Sequence, residues 1–579
     1  MCGIIACIGK NVTKMLIEGL ERLEYRGYDS AGMTVLTNGE FFTKKALGNV
    51  KELKKLVAND SLDGLGIAHT RWATHGNISL ENAHPHFSQG GNLALVHNGI
   101  IENYQNIKSN LDNSGAQFYG QSDSEVVAKF FGEQIDEKLL HKKLQSIEGS
   151  YAFAIICKGQ ERIYFAKNKS PLYVFEGRMI ASDPSVFAPY GKEFIALDDG
   201  EYGYIDGKEA KIFKNGALIQ KDTKLIDFEF VQEGKAHYDH FMIKEIYDSK
   251  KVIKGLKSHY TQNSVQKQVK SMNFERFNRI YFIACGTAYH AGLMAGAQFR
   301  KYFDKDVYIE KAGEICYKNL PIDENSLCFF ISQSGETADT LSALEYVRAH
   351  NGVCACVVNT IYSTLSQKCD FVFPICAGQE KAVASTKAYF GQVLALLIIA
   401  HILKGEDFEK LLDEFEETLD YGNDEEIKRV ARHLAKREKL FFIGRGEDYI
   451  SALEASLKMK EISYIFSCGE SAAELKHGSL ALIENGVDAV LVATNLATLS
   501  KNLASAEEVH ARGGKVIFVS PFSNADGKID FYISVKPCKE EFMPLQTMLV
   551  LQKLSYFVAI MKGNNPDQPR NLAKSVTVE

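Results

Sequence analysis

The sequence predicts an α/β protein of several domains: a first third of stacked sheets flanked by helices, followed by two doubly wound parallel-sheet domains. Three observations predict it. The chain has 579 residues, too many for one core at about 100–200 residues per domain, so about two to four domains are expected. Its first third alternates short apolar runs with turn-formers. Its remainder repeats itself at a spacing of roughly 160 residues, longer than the solenoid range and so a duplicated domain. A hydrophobic content of 45% and a charged content of 24% are those of an ordinary globular protein. The net charge of −6 with both signs interspersed gives no nucleic-acid footprint.

The twelve cysteines are scattered singles apart from Cys354-Ala355-Cys356. No C-x-x-C pair or Cys/His spacing suggests zinc, so reduced thiols and no metal or dissociable cofactor are expected. The start of the chain has no basic region leading into a long apolar run, which argues against a secretory signal. Around Val393 to Leu403 the apolar run is too short for a bilayer, which needs roughly 20 residues. A cytoplasmic protein without membrane partners is expected.

In the first third, strands are predicted at Ile4–Ile8, Gly66–His69, Leu93–Val96, Tyr151–Cys157 and Ile163–Ala166, with helices near Val12–Leu23 and Ser124–Phe131. The opening Met1-Cys2-Gly3 carries the first chemical signal. With Met1 removed, the Cys2 thiol would stand beside its own α-amine, whose pKa of roughly 8 leaves a neutral fraction able to accept a proton. The alternative is a small buried hydrophobe, as expected of Cys7. Polar clusters follow at Arg26-Gly27-Tyr28-Asp29-Ser30, His69-Thr70-Arg71-Trp72-Ala73-Thr74-His75-Gly76, His97-Asn98-Gly99 and Ser122-Asp123-Ser124. Taken singly, Asn98-Gly99 reads as a hairpin turn and Ser122 or Asp123 as a helix cap.

Taken together and in this order, the clusters resemble the N-terminal-nucleophile glutaminase domain of glutamine amidotransferases, an αββα fold, over residues 2–220. The resemblance implies that Cys2 attacks the glutamine amide and that Asn98 and the Gly99 N–H hold the oxyanion. It implies that Arg71 takes the substrate carboxylate and Asp123 its ammonium, with Trp72, Thr74 and His75 completing the glutamine site. Trp72, the sole tryptophan, would gate it.

Residues 221–270 are charged and mixed, with an aromatic and apolar face at helical spacing through His237–Tyr247, as for helices joining two modules. Then Arg279–Thr287 is echoed by Lys439–Glu447, Cys328–Ser332 by Ala489–Ala493, and Gly352–Val358 by Gly514–Val519. Apolar strands separated by helical stretches indicate βαβ units over 271–409 and 431–569. Ser332-Gln333-Ser334-Gly335-Glu336-Thr337 falls between a strand and a helix. Its hydroxyls and the helix N–H groups suit a phosphate, and no Walker lysine is present.

This half resembles tandem sugar isomerase (SIS) domains. The motifs are the Ser332 loop, Val383-Ala384-Ser385-Thr386-Lys387, Glu474-Leu475-Lys476-His477-Gly478 and the ending Asp567-Gln568-Pro569-Arg570-Asn571-Leu572-Ala573-Lys574. The complete chain resembles the glutamine:fructose-6-phosphate amidotransferases, with residues 570–579 as an active-site tail. That resemblance implies that glutamine and fructose 6-phosphate become glutamate and glucosamine 6-phosphate, the entry to amino-sugar synthesis. It places Thr287, Ser332, Gln333, Ser334, Thr337, Val383 and Ser385 on the sugar phosphate. Ala288 stands where the family usually has Ser.

Glu454, Lys458 and Glu461 share one helix face at i, i+4 and i+7, which alone reads as a surface ion-pair ladder. The resemblance makes Glu461 the base moving a proton between C1 and C2, with Lys458 stabilising the intermediate. It makes His477 the ring-opening residue reaching in from a neighbouring subunit, hence a homodimer. Lys574 would form a Schiff base with the ketose carbonyl, from a partly buried setting that lowers its pKa. Ammonia would pass internally, since in water at pH 7 it is mostly unreactive ammonium. Two rival readings are another N-terminal-nucleophile amidotransferase and a non-catalytic SIS sugar-phosphate sensor.

Overall fold

The computed structural model describes residues 2–73, 76–225, 234–522 and 529–576. The chain divides into two compact units, Met1–Gln232 with Ser575–Glu579, and Glu233–Lys574.

Among its described residues the first unit has an eight-stranded and a seven-stranded sheet. Strand Gly3–Gly9 lies inside the first sheet, antiparallel to Gly64–Arg71 on one side and Met179–Ala181 on the other, with Ile4 opposite His69. The period-2 alternation of each strand builds the layers. Ala94 and Val96 of strand Leu93–Ile101 join Ile4, Ala6 and Ile67 in the core between the sheets. Leu93 and Leu95, on the other face, pack with Val126, Val127 and Phe131 of helix Asp123–Phe131. Helix Val12–Leu23 covers the outer face of the first sheet, where the missing side chain of Gly66 leaves room for Val12 and Leu16. The result is the predicted helix-sheet-sheet-helix sandwich. Asn98-Gly99 is no hairpin turn. It lies within strand Leu93–Ile101, where Asn98 opposes Ala152 and Gly99 opposes Tyr151, because pairing along the neighbouring strand outweighs local turn preference.

Among its described residues the second unit has two five-stranded parallel sheets. In the first, Arg279–Ala284 pairs with Asp306–Lys311 on one side and Ser326–Ser332 on the other. The second repeats this, with Lys439–Gly444 between Phe466–Ser471 and Asp488–Val492. Ile280, Phe282, Leu440 and Phe442 all point into one core shared by the two repeats, while Tyr281 and Ile283, or Phe441 and Ile443, face separate outer clusters. Helices Phe241–Tyr247, Ser249–Tyr260 and Asn263–Ser271 add Met242, Ile246, Val252, Leu256 and Val269 to that shared core. From residue 234 onward, the 221–270 stretch expected to join two modules is thus built into this unit. The apolar run at Val393–Leu403 belongs to helix Lys387–Lys404, whose 18 residues have a mean hydropathy of 1.4 and are 89% buried inside the protein. Its length and composition would suit a membrane; its surroundings here are side chains.

Candidate functional site

In the first unit, Cys2 precedes the inner strand Gly3–Gly9, so its position is set by the sheet. Its Sγ accepts the Trp72 backbone N–H at 3.2 Å, and the Asn98 side-chain amide donates to the Cys2 carbonyl at 2.9 Å. Burial pushes the thiol pKa up, opposed by the Trp72 N–H and the Arg71 charge. Gly99 has φ +129, and a Cβ there would lie 2.0 Å from the Ser150 carbonyl oxygen, so only glycine fits. Arg71 is buried and donates to the Asn77 carbonyl at 3.2 Å. Asp123 accepts from the Ile101 N–H at 3.0 Å and the Ser124 N–H at 2.9 Å, while Ser122 caps the helix. Trp72 meets Tyr28 edge-on at 5.4 Å between ring centres. Cys2 and Arg71 therefore sit at strand ends with Trp72 just beyond, Asn98 and Gly99 lie within strand Leu93–Ile101, and Asp123 opens its helix, all in one unit. Thr74 and His75 lie outside the described residues.

In the second unit the strand order changes direction around Arg279–Ala284, so a crevice opens beyond the carboxyl ends of that strand and of Ser326–Ser332. Thr287, near the start of helix Gly286–Tyr302, and the Ser332 loop both lie there. Ser332 Oγ accepts the Gly335 N–H at 2.9 Å and lies 3.4 Å from Thr337 Oγ1, and Ser334 Oγ accepts the Glu336 N–H at 3.1 Å. Gln333 is half-buried, and its carbonyl accepts the Asn359 N–H at 3.2 Å. The loop is braced from below, where the Glu336 carboxylate accepts the Thr364 N–H at 2.8 Å. Thr337 then stands at the N-terminal cap of helix Ala338–Ala349, a setting whose N–H groups and positive dipole end would suit an anion. Ala288 packs partly buried against the shared core.

Helix Glu447–Ser463 carries Glu454, Lys458 and Glu461. They are no surface ladder: Glu454 and Lys458 are fully buried, because the helix follows an inner strand and its polar face is turned into the unit. Lys458 Nζ lies 3.4 Å from Glu454 and 2.7 Å from Glu461 Oε2, and it donates to Thr287 Oγ1 at 2.9 Å. The Thr287 hydroxyl in turn donates a hydrogen bond to Glu454 Oε1 at 3.0 Å, and His290 Nδ1 lies 2.6 Å from Glu454 Oε2. Burial raises the Glu454 pKa, but Lys458, His290 and Thr287 together hold it below the usual carboxylate value. Burial lowers that of Lys458, and Glu454 and Glu461 more than reverse it. Glu461 ends up raised, since burial outweighs Lys458; its Oε2 has no hydrogen-bond partner beyond that charge contact. Thr287 and the Glu454 helix thus join the two repeats at one polar cluster inside an apolar core.

The tail from Asp567 is ordered through Lys574. Both Asp567 carboxylate oxygens accept helix-start N–H groups, Phe241 at 2.9 Å and Met242 at 2.8 Å, and its carbonyl accepts the Val383 N–H at 3.0 Å. The Lys574 side chain is 2% exposed and paired with Glu380, which also accepts the Ser385 hydroxyl at 3.0 Å. The burial expected of Lys574 is present, and with it a carboxylate that sequence reasoning did not find. His477 is exposed on the turn Leu475–His477. Also missed were His290, three residues after Thr287 on the same helix, and Glu380, which belongs to no recognisable spacing.

Known proteins match these two units. A glutamine amidotransferase domain model matches residues 69–189, and a SIS domain model matches 274–402 and 433–552. A glutamine–fructose-6-phosphate aminotransferase (isomerizing) of Caldanaerobacter subterraneus is 40% identical over 100% of both chains. One from Pyrococcus horikoshii is 38% identical over the same full span. The solved C-terminal domain of the Francisella tularensis glucosamine-fructose-6-phosphate aminotransferase covers 58% of this chain and 100% of its own, at 34% identity and a TM-score of 0.53. With full-length identity of that order on top of the two-unit architecture, the chain belongs to the isomerizing glutamine–fructose-6-phosphate aminotransferase family.

Proposed function

We propose that the protein takes the amide nitrogen of glutamine and delivers it to fructose 6-phosphate, giving glutamate and glucosamine 6-phosphate. The observation that carries this reading is the Thr287–Glu454–Lys458–Glu461 cluster built around the fully buried Glu454 and Lys458, in the same unit as the hydroxyl-rich Ser332 turn and the buried Lys574, in a chain that also holds Cys2 beside Asn98. Cys2 is the nucleophile on the glutamine amide. Asn98 Nδ2 and the Gly99 N–H stabilise the oxyanion, and Arg71 and Asp123 bind the two charges of the amino acid; the family resemblance assigns Trp72, Thr74 and His75 to the same substrate.

In the second unit Ser332, Gln333, Ser334 and Thr337 hold the phosphate, and Thr287, Val383 and Ser385 line the sugar. Lys574 forms the imine at C2, and Glu461, whose Oε2 lies 2.7 Å from Lys458 Nζ, moves the proton between C1 and C2 while Lys458 balances the charge. His477, exposed on its turn, suits a role in the site of a second copy, which makes the working enzyme a homodimer in the cytoplasm. Ammonia travels inside the protein, because solvent would protonate it and remove the attacking lone pair.

The test is Cys2→Ala. Synthesis of glucosamine 6-phosphate from glutamine should vanish while synthesis from an ammonium salt at high pH persists. Loss of both activities in a folded variant would show that the two units do not divide the reaction this way.

A further inference from the structure

Below the sugar crevice lies a second buried carboxylate cluster that the roles above leave unused. Glu380 is fully enclosed and pairs with Lys574 through Oε2. Its Oε1 accepts the Thr386 N–H at 2.9 Å and the Ala388 N–H at 3.0 Å, while Ser385 Oγ donates to Oε2 at 3.0 Å. One oxygen is therefore committed to backbone, and the other faces the lysine. Beneath it Glu245, on helix Phe241–Tyr247, accepts the Lys381 N–H at 2.6 Å and the Ala382 N–H. Two carboxylates thus grip one short loop from opposite sides.

We propose that Glu380 is the base and acid of imine formation at Lys574, taking a proton from the ammonium before attack and returning it to the departing oxygen. This rests on the reading of Lys574 as the nucleophile. The ammonium gives one proton to Glu380 Oε2, and the freed lone pair forms the bond to C2 as the carbonyl electrons move onto oxygen. A second nitrogen proton passes to that alkoxide. Protonated Glu380 then delivers its proton to the resulting hydroxyl, the C–O bond breaks, and water leaves. One ammonium and one ketone become one protonated imine and one water, with Glu380 restored.

Burial penalises both charged forms, but Lys574 and the Ala388 and Thr386 N–H groups hold Glu380 below the usual carboxylate value, so the pair rests charged and the proton crosses a short, water-free contact when the ketone is in place. The charged neighbours are Lys574, Lys387 and Lys458 against Glu245 and Glu461. Burial and the Glu380 charge raise Glu245 to about 8, so near neutral pH Glu380 is the carboxylate that carries the charge. Glu461 cannot serve Lys574 equally, since its Oε2 lies 2.7 Å from Lys458.

The experiment is borohydride trapping of full-length protein with fructose 6-phosphate, scored by mass at Lys574, in wild type and Glu380→Gln. Glutamine keeps an Oε1 for the Thr386 and Ala388 N–H groups and removes the one acceptor that the amine shares with the Ser385 hydroxyl. Trapping by the variant at pH 7 should be about 10²–10⁴-fold slower, the usual worth of general acid–base catalysis, and should recover about tenfold per pH unit as hydroxide replaces the base. Glutaminase turnover at Cys2 should be unchanged. A rate within about threefold of wild type, or a deficit that no increase in pH relieves, overturns the proposal, the latter marking Glu380 as a loop brace only. A wild-type protein that yields no adduct at Lys574 overturns the nucleophile reading itself, and this proposal with it.

Discussion

His69 Nε2 lies 3.0 Å from the side-chain oxygen of Asn98 and 3.0 Å from the His97 carbonyl. Both are acceptors, so the proton sits on Nε2, and burial keeps the ring neutral by lowering its pKa to about 3. That fixes the Asn98 amide with Oδ1 toward His69 and Nδ2 toward Cys2, the orientation an oxyanion donor needs. His69→Ala should therefore lower glutaminase kcat while leaving KM for glutamine within a few-fold. Losing one such donor costs about 10²–10³ in kcat, which sets the upper bound for this indirect effect. Steady-state glutamate release checks it; an unchanged kcat would mean that Asn98 holds its orientation alone.

Removing Lys458 should destabilise the second unit. Lys458→Met strips the cation from a fully buried Glu454, and breaking a buried pair from one side costs about 3–5 kcal/mol. The expected outcome is a lower denaturation midpoint for that unit, largely restored in the Lys458→Met/Glu454→Gln double variant. Equal midpoints for wild type and the single variant would show that His290 alone satisfies Glu454.

Glu461 sets a pH dependence. Burial holds its pKa above the ordinary 4.5, and a base must be ionised to act. Exchange of the C1 proton of fructose 6-phosphate with deuterated water should thus fall as pH drops through that raised value, about tenfold per unit below it. Stability runs the other way: the fold favours the protonated form, so this group's contribution is complete below 4.5 and is lost as pH rises through the folded pKa. An NMR exchange profile flat down to pH 4 would remove Glu461 from the proton transfer.

Gly335 is the tight point of the Ser332 turn, to which the phosphate is assigned above. It has φ +67, and a Cβ would meet Ser363 Oγ at 2.0 Å. Gly335→Ala should open the turn at the usual overpacking cost of about 1–3 kcal/mol, raising KM for fructose 6-phosphate about tenfold or more. Glutaminase activity should be untouched. A KM within about twofold of wild type would place the phosphate elsewhere.

Much of the architecture was legible because it rests on short-range pattern. The helix Val12–Leu23 and the three echoed strand pairs announce themselves by periodicity, and the alternation in Leu93–Ile101 already contains the two faces of the sandwich. Less legible was anything decided by neighbours. Asn98-Gly99 has the composition of a turn, and only its pairing with Ala152 and Tyr151 makes it strand. Glu454 and Lys458 have the spacing of an exposed ladder, and only the enclosing helices bury them. Glu380, Glu245 and His290 stand alone in the sequence, and their meaning lies wholly in what long-range folding brings against them.

The grip of Asp567 on Phe241, Met242 and Val383 bears on how the sugar-binding half could be produced by itself. Recombinant boundaries drawn at the first matched SIS residue, 274, would discard three core helices and strand an aspartate whose N–H donors had been cut away. A stand-alone version has to start upstream of His240 and retain its final segment, since head and end of that half are stitched together by one side chain.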